Sequence, residues 1–232
     1  MKHSIRQFPG GFEETYPLGA VERAIFRSEA SATVFFRDGR EEINLRFRSP
    51  GKTRLPYGPG PYQAQFGIPF SPDGKLMFYY TWENGVEAIS LETGKAVWRV
   101  HARHAGRISV YESYLIVIQQ GIAVLKVDLA TGQLLARIGC DVHRRFDLTG
   151  PYQLIDSIRG RVSVLDTRDM SVRKKYPAER INPKHLPTCI IREAELTGTV
   201  LTISGFENGP FPVDAEPAYF SRVIDDRFFE GL

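Results

Sequence analysis

The chain has 232 residues, of which 42% are hydrophobic and 25% charged, with a net charge of +3. That length and composition suit a soluble globular chain that buries roughly 70% of its unfolded surface, and the small positive excess does not demand a nucleic-acid partner. The two cysteines, Cys140 and Cys189, exclude a disulfide framework; reduced thiols in a cytoplasmic protein are the expectation, with a single bridge between them left open.

Residues 1–15 carry no apolar h-region, so no secretory leader is expected. Short β-prone stretches follow at 21–26, 32–36, 41–48 and 52–57, punctuated by Asp38-Gly39 and Ser49-Pro50-Gly51. After a Gly-Pro-rich connection at 58–62 come 64–70, the turn Ser71-Pro72-Asp73-Gly74, and the aromatic run 75–82. Residues 114–118 and 152–156 repeat that β-prone character more weakly. Each of the three is followed by a glycine turn, Glu83-Asn84-Gly85, Gln119-Gln120-Gly121 and Ile158-Arg159-Gly160, where Gly supplies the positive φ of a tight hairpin. Further strands are predicted at 95–100, 133–139 and 172–176, then at 187–192 and 197–205, with 210–229 completing the last group. The longest strongly apolar run, 115–118, is far below the ~20 residues of a membrane span.

An internal repeat organises these strands. Glu87-Ala88-Ile89-Ser90-Leu91-Glu92-Thr93-Gly94-Lys95 aligns with Leu125-Lys126-Val127-Asp128-Leu129-Ala130-Thr131-Gly132-Gln133, 38 residues later. A third copy, Ser163-Val164-Leu165-Asp166-Thr167-Arg168, follows after 38 more; it has lost the Thr-Gly but keeps a turn, Arg168-Asp169-Met170-Ser171. A period near 38 with several strands per repeat and no helical periodicity points to propeller blades. Ser90-Leu91-Glu92-Thr93-Gly94-Lys95-Ala96-Val97-Trp98 resembles the repeat of pyrroloquinoline-quinone-type propellers. Phe70-Ser71-Pro72-Asp73-Gly74-Lys75 resembles the first hairpin of WD-repeat blades. The resemblance covers about 64–176 and implies an all-β fold, a small β-propeller of about five four-stranded blades, near 20–58, 64–100, 106–139, 143–176 and 186–229. Four or six blades also fit; seven would need roughly 270 residues at this period. The quinone and calcium of the larger quinoprotein dehydrogenases are not carried over, because the chain lacks their length and their adjacent-cysteine feature.

Blade topology assigns the loops to two faces. The Thr-Gly corners and Ser71–Gly74 fall on one face and read as structural. The connections between blades fall on the other and hold His101, Arg103, His104, His143, Arg144, Lys184 and His185, with Arg107 just beyond. Loops on a rigid scaffold are where function concentrates, so these eight residues form the candidate binding face.

Catalytic signatures are absent from the sequence. There is no Gly-x-Ser-x-Gly elbow, and Cys140 with His143 has no third member. The adjacent carboxylates Glu13-Glu14, Glu41-Glu42 and Asp225-Asp226 would point to opposite sides of a strand and read as solvated charge. His101, His104, Cys140 and His143 are zinc-binding residue types at spacings that match no closed zinc module, so no metal and no cofactor are expected. Trp82 and Trp98 read as packing residues. The expected function is a non-catalytic protein-binding module, in its sharper form an immunity or inhibitor protein that holds a toxin. The alternative is a hydrolase or lyase with a site at the propeller centre.

Overall fold

The computed structural model describes residues 4–27, 31–46, 70–81, 85–111, 113–157, 160–181, 189–207 and 219–232. They are almost entirely antiparallel β-structure. The first sheet runs β1 (Ser4–Phe8), β2 (Gly11–Thr15), β3 (Val21–Arg27), β4 (Ser31–Phe36) and β5 (Ile43–Arg46), paired in that order. The second contains β6 (Leu76–Thr81), β7 (Gly85–Ser90) and β8 (Ala96–Val100). The third contains β9 (Ala105–Val110), β10 (Tyr114–Gln119), β11 (Ala123–Asp128) and β12 (Leu134–Gly139). The fourth contains β13 (Arg144–Asp147), β14 (Tyr152–Asp156), β15 (Val162–Asp166) and β16 (Ser171–Tyr176). A short helix, α1 (Ala178–Ile181), precedes the fifth sheet of β17 (Cys189–Thr197), β18 (Val200–Glu207) and β19 (Tyr219–Asp225). Within every sheet, neighbours in space are neighbours in sequence, which is the meander expected of propeller blades.

The chain divides into two compact units, Met1–Gln119 with Leu125–Ala136, and Gln120–Val124 with Arg137–Leu232. The first has its own core around Phe12, Tyr16, Phe26, Val34, Leu45, Phe70, Met77 and Ile89. The second is built on Leu154, Val164, Tyr176, Ile181, Ile191, Leu201, Ile203 and Phe229.

The repeat is visible as recurring hydrogen bonds. The amides of Leu91, Leu129 and Thr167 donate to the carbonyls of Lys75, Ser113 and Pro151, donors and acceptors both advancing by 38. Ser90 Oγ accepts from the amides of Glu92 and Thr93 at 3.2 Å each. Asp128 Oδ1 accepts from those of Ala130 and Thr131, at 3.1 and 2.8 Å. Asp166 Oδ1 accepts from that of Arg168 at 3.0 Å. One residue before each corner, Thr93, Thr131 and then Asp169 accept the amide two residues on. The corner itself has positive φ in all three copies: Gly94 at 67°, Gly132 at 74° and Met170 at 59°. The degenerate third copy therefore keeps the backbone path: Asp169 does the work of threonine, and Met170 accepts a left-handed conformation that costs a side chain about 1–2 kcal/mol. Asp166 adds a charge lock. Its side chain is fully buried and pairs with Arg168 at 2.8 Å and Arg173 at 3.0 Å.

Trp98 links neighbouring repeats of the first unit. Its Nε1 donates to Leu129 O at 3.1 Å, and its ring lies over the Gly132 corner, where an added Cβ would come within 2.7 Å. At the preceding corner Gly94 faces only Leu45, 3.7 Å from an added Cβ. Trp98 is thus the packing residue expected of it; Trp82 lies outside the described residues.

The N-terminal end of the chain differs from the sequence expectation. The stretch 21–26 was expected to begin the first sheet, yet β2 pairs with β3 and β1 lies beyond β2. Phe12 drives this addition by stacking on Phe26, centroids 4.9 Å apart. Alternation on β2 then turns Glu13 outward to Arg23, 3.4 Å away, and Glu14 inward. Glu14 is not solvated charge: it is 1% exposed and accepts the Tyr16 hydroxyl at 2.9 Å. At the other end, the aromatic tail forms β19 and a 3₁₀ helix over Arg227–Gly231. Asp226 caps that helix through the Phe228 amide and holds Lys174 Nζ at 3.0 Å and the Tyr176 hydroxyl at 3.1 Å. The strand expected at 64–70 lies outside the described residues except Phe70, which bridges to Met77.

Two outcomes test this account. Gly94→Ala should cost about 1 kcal/mol from backbone strain alone, whereas Gly132→Ala should cost at least about 3 because Trp98 must also move; denaturation midpoints separate the two. The Arg168 hydrogen bond, with Arg173 behind it, holds the Asp166 carboxyl down at about 2 against its ordinary 3.8. A lowered folded-state value stabilises above the unfolded pKa and is lost as pH falls through the folded one. Asp166→Asn should therefore lower stability at pH 7 by about 1–2 kcal/mol, allowing for solvent screening of Arg168. It should also flatten the acid limb of the stability curve between pH 4 and pH 2.

Candidate functional site

In the first unit the connection from β8 to β9 is a tight turn rather than a loose loop. Ala102 is 1% exposed, and its carbonyl accepts the Ala105 amide at 3.2 Å. Gln119 Nε2 donates to Arg103 O at 3.0 Å, tying the turn to the end of β10. Gly85, which opens β7, leaves no room beside it: an added Cβ would meet Val100 O at 2.2 Å and the Ala102 amide at 2.4 Å. On this base His101, Arg103 and His104 stand exposed. His104 has φ of 61° at the third position of the turn, where glycine or asparagine is the comfortable choice. Arg107 follows in β9 opposite Ile118, its side chain outside those described.

In the second unit the connection from β12 to β13 holds Cys140, Asp141, Val142 and His143. The Gly121 amide donates to Val142 O at 2.7 Å, and the Cys140 amide to Ile122 O at 3.1 Å. His143 is half-buried; its amide donates to Asp156 O at 2.8 Å, and its carbonyl accepts from Gln120 Nε2 at 3.3 Å. Arg144 is also half-buried, and its guanidinium donates to Ile191 O at 3.1 Å, holding β17 against β13. Its charge is committed to the fold in a way sequence alone did not signal. Lys184 and His185 lie outside the described residues. The candidate residues are thus divided, with His101, Arg103, His104 and Arg107 on the first unit and His143 and Arg144 on the second.

The second unit also contains a cleft of about 490 Å³ that sequence reasoning missed. One wall is the segment 138–142, and the other is the fourth sheet with its hairpin, including Ile155, Ser157, Arg161, Ser163, Val172, Lys175 and Tyr176. The signal lay in strand register: Ile155 pairs with Ser163, and Ser163 with Lys175, so the three share one face of that sheet. Among the described residues no three His, Cys, Asp or Glu side chains cluster as a metal site.

Cys140 lines this cleft, half-buried, with its thiol pushed up by burial, to which the Asp141 carboxylate adds. Cys189 is 1% exposed, and burial, with Asp156 nearby, pushes its thiol up to about 11. Both are free thiols, which settles the pairing left open by the sequence.

No family model matches the chain, and no curated protein matches it in sequence. Solved structures do match in fold. BamB from Moraxella catarrhalis aligns with a TM-score of 0.51 at 14% identity, over 88% of this chain and 57% of that one. The β-propeller domain of Cps50 (Swd1) from Myceliophthora thermophila gives 0.53 at 13%, over 98% and 76%. The dihydro-heme d1 dehydrogenase NirN, solved with DHE, gives 0.57 at 13%, over 88% and 51%. The chain therefore spans about half to three quarters of the length of these proteins. Its fold is that of a β-propeller.

Native protein treated with iodoacetamide near pH 8 should gain one label at Cys140, with Cys189 reacting only after unfolding. Peptide mass mapping reads the order, and equal rates at the two sites would contradict this burial.

Proposed function

We propose that this propeller-fold protein is a non-catalytic binding module whose inter-blade connections, led by His101, Arg103 and His104, hold a protein partner. The observation that carries the reading is the backbone of His104. A non-glycine residue held left-handed on an exposed, well-anchored turn is strained, and such strain concentrates at functional positions. The turn presents Arg103 between two histidines, a combination suited to an acidic surface on the partner. Arg107 belongs to the same unit, while His143 and Arg144 belong to the second, with Arg144 already engaged by Ile191 O. Two free thiols are in keeping with a reducing, cytoplasmic setting. An immunity or inhibitor role toward a toxin is the sharper form, and an adjacent toxin-like open reading frame is what it requires.

His104→Gly should relieve the turn and leave thermal stability unchanged or raised, by up to about 1 kcal/mol, because glycine adopts positive φ freely. The same variant and Arg103→Glu should each weaken partner capture by at least about tenfold, a typical anchor-residue effect. Quantitative co-purification of the tagged protein with its partner reads this. Unchanged capture by both variants, or a purified protein that carries a stoichiometric small molecule and no protein, would sink the reading.

A further inference from the structure

We infer that the cleft between segment 138–142 and the fourth sheet is a binding site for a small apolar molecule carrying one anionic group, such as an aryl or alkyl carboxylate. The inference is independent of the protein-binding reading, since it uses none of His101, Arg103 and His104. Size comes first: about 490 Å³ lies within the range of small-ligand pockets. The walls come next. Ile138, Val142, Ile155 and Val172 line the space with branched carbon, so burying an apolar body there removes hydrocarbon from water on both partners.

Charge fixes the rest of the ligand. Ser163 lies directly across from Lys175 in the β15–β16 register. Arg161 comes just before β15, at the end of the hairpin turn where its carbonyl accepts the Ser157 amide at 2.9 Å, and it lines the same cleft. Two cations and one hydroxyl thus line the cleft. Lys175 and Arg161 are exposed, and neither makes an ion pair among the described residues. The two carboxylates of the cleft oppose this arrangement only weakly. Asp156 is 2% exposed and accepts the Arg144 amide, so it is committed to the backbone. Asp141 is exposed on the other wall, where it would push an anionic head toward Arg161 and Lys175. The apolar tail then lies along Ile155 and Val142, beside the Cys140 thiol.

The probes are ω-phenylalkanoates from phenylacetate to phenylhexanoate, each with its neutral amide as control, titrated into the intact protein. Saturable methyl NMR shifts are expected at Ile138, Val142, Ile155 and Val172, together with slowed alkylation of Cys140 by the best-bound member. Lys175→Gln and Arg161→Gln, both at exposed positions that leave the core intact, should each weaken binding at least about fivefold. Asp141→Asn should tighten it about two- to threefold by removing a like charge. Lack of saturable shifts at these methyls across the whole series would overturn the inference. So would amides that bind as well as the acids, or binding that ignores all three substitutions.

Discussion

The left-handed corner before the last strand of the second, third and fourth sheets is the constraint on which the rest of the structure depends. An antiparallel meander with a fixed 38-residue period must reverse direction at the same place each time, and the reversal needs one residue at positive φ. Gly94, Gly132 and Met170 supply it. The residue four positions earlier, Ser90, Asp128 or Asp166, keeps the corner closed by accepting amides that would otherwise be unpaired. In the first unit the corner does a second job. With no side chain at Gly132, the Trp98 ring can lie flat on the backbone and place its Nε1 against Leu129 O. A turn requirement in one repeat thereby becomes a packing contact between two.

That coupling explains what could be read from sequence. The corner residues sit in short motifs with fixed spacing, so the three middle repeats were legible without any structural knowledge. The third was legible only by position. Asp169-Met170 does not look like Thr-Gly, yet Asp169 accepts the Ser171 amide as Thr93 and Thr131 accept theirs, and Met170 takes the φ of the lost glycine. Local chemistry sufficed there because the side-chain-to-amide bonds of the corner each span three residues or fewer.

Features that depend on distant pairing were not legible. β1 and β2 join the first sheet because Phe12 stacks on Phe26, and Glu14 finds Tyr16 inside; nothing in Glu13-Glu14 distinguishes a buried carboxylate from a solvated one before strand alternation is known. Arg144 looked like a surface cation until Ile191 O, 47 residues away, took its guanidinium. The cleft escaped notice for the same reason. Ile155, Ser163 and Lys175 belong to three strands, and only their register makes them neighbours. His101, Arg103 and His104, by contrast, were visible as a local cluster, and the structure adds the strain at His104 that composition could not show.

The two ends of the strands therefore answer to different demands. At the corners, sequence is bound by backbone geometry, and side chains there serve the turn. At the inter-blade connections the backbone is held from outside the segment, by Gly85 packed against Val100 and Ala102, and by Gly121 bonded to Val142. Because the support comes from the neighbouring hairpin, the backbone of the connection stays fixed while His101, Arg103 and His104 are exposed. A partner meeting His101, Arg103 and His104 would order little of the chain on binding, so less of the interaction energy is lost to conformational entropy. The strain at His104 points the same way: the turn could be relaxed by glycine, and a chain that keeps histidine there retains a side chain at a cost to its own stability.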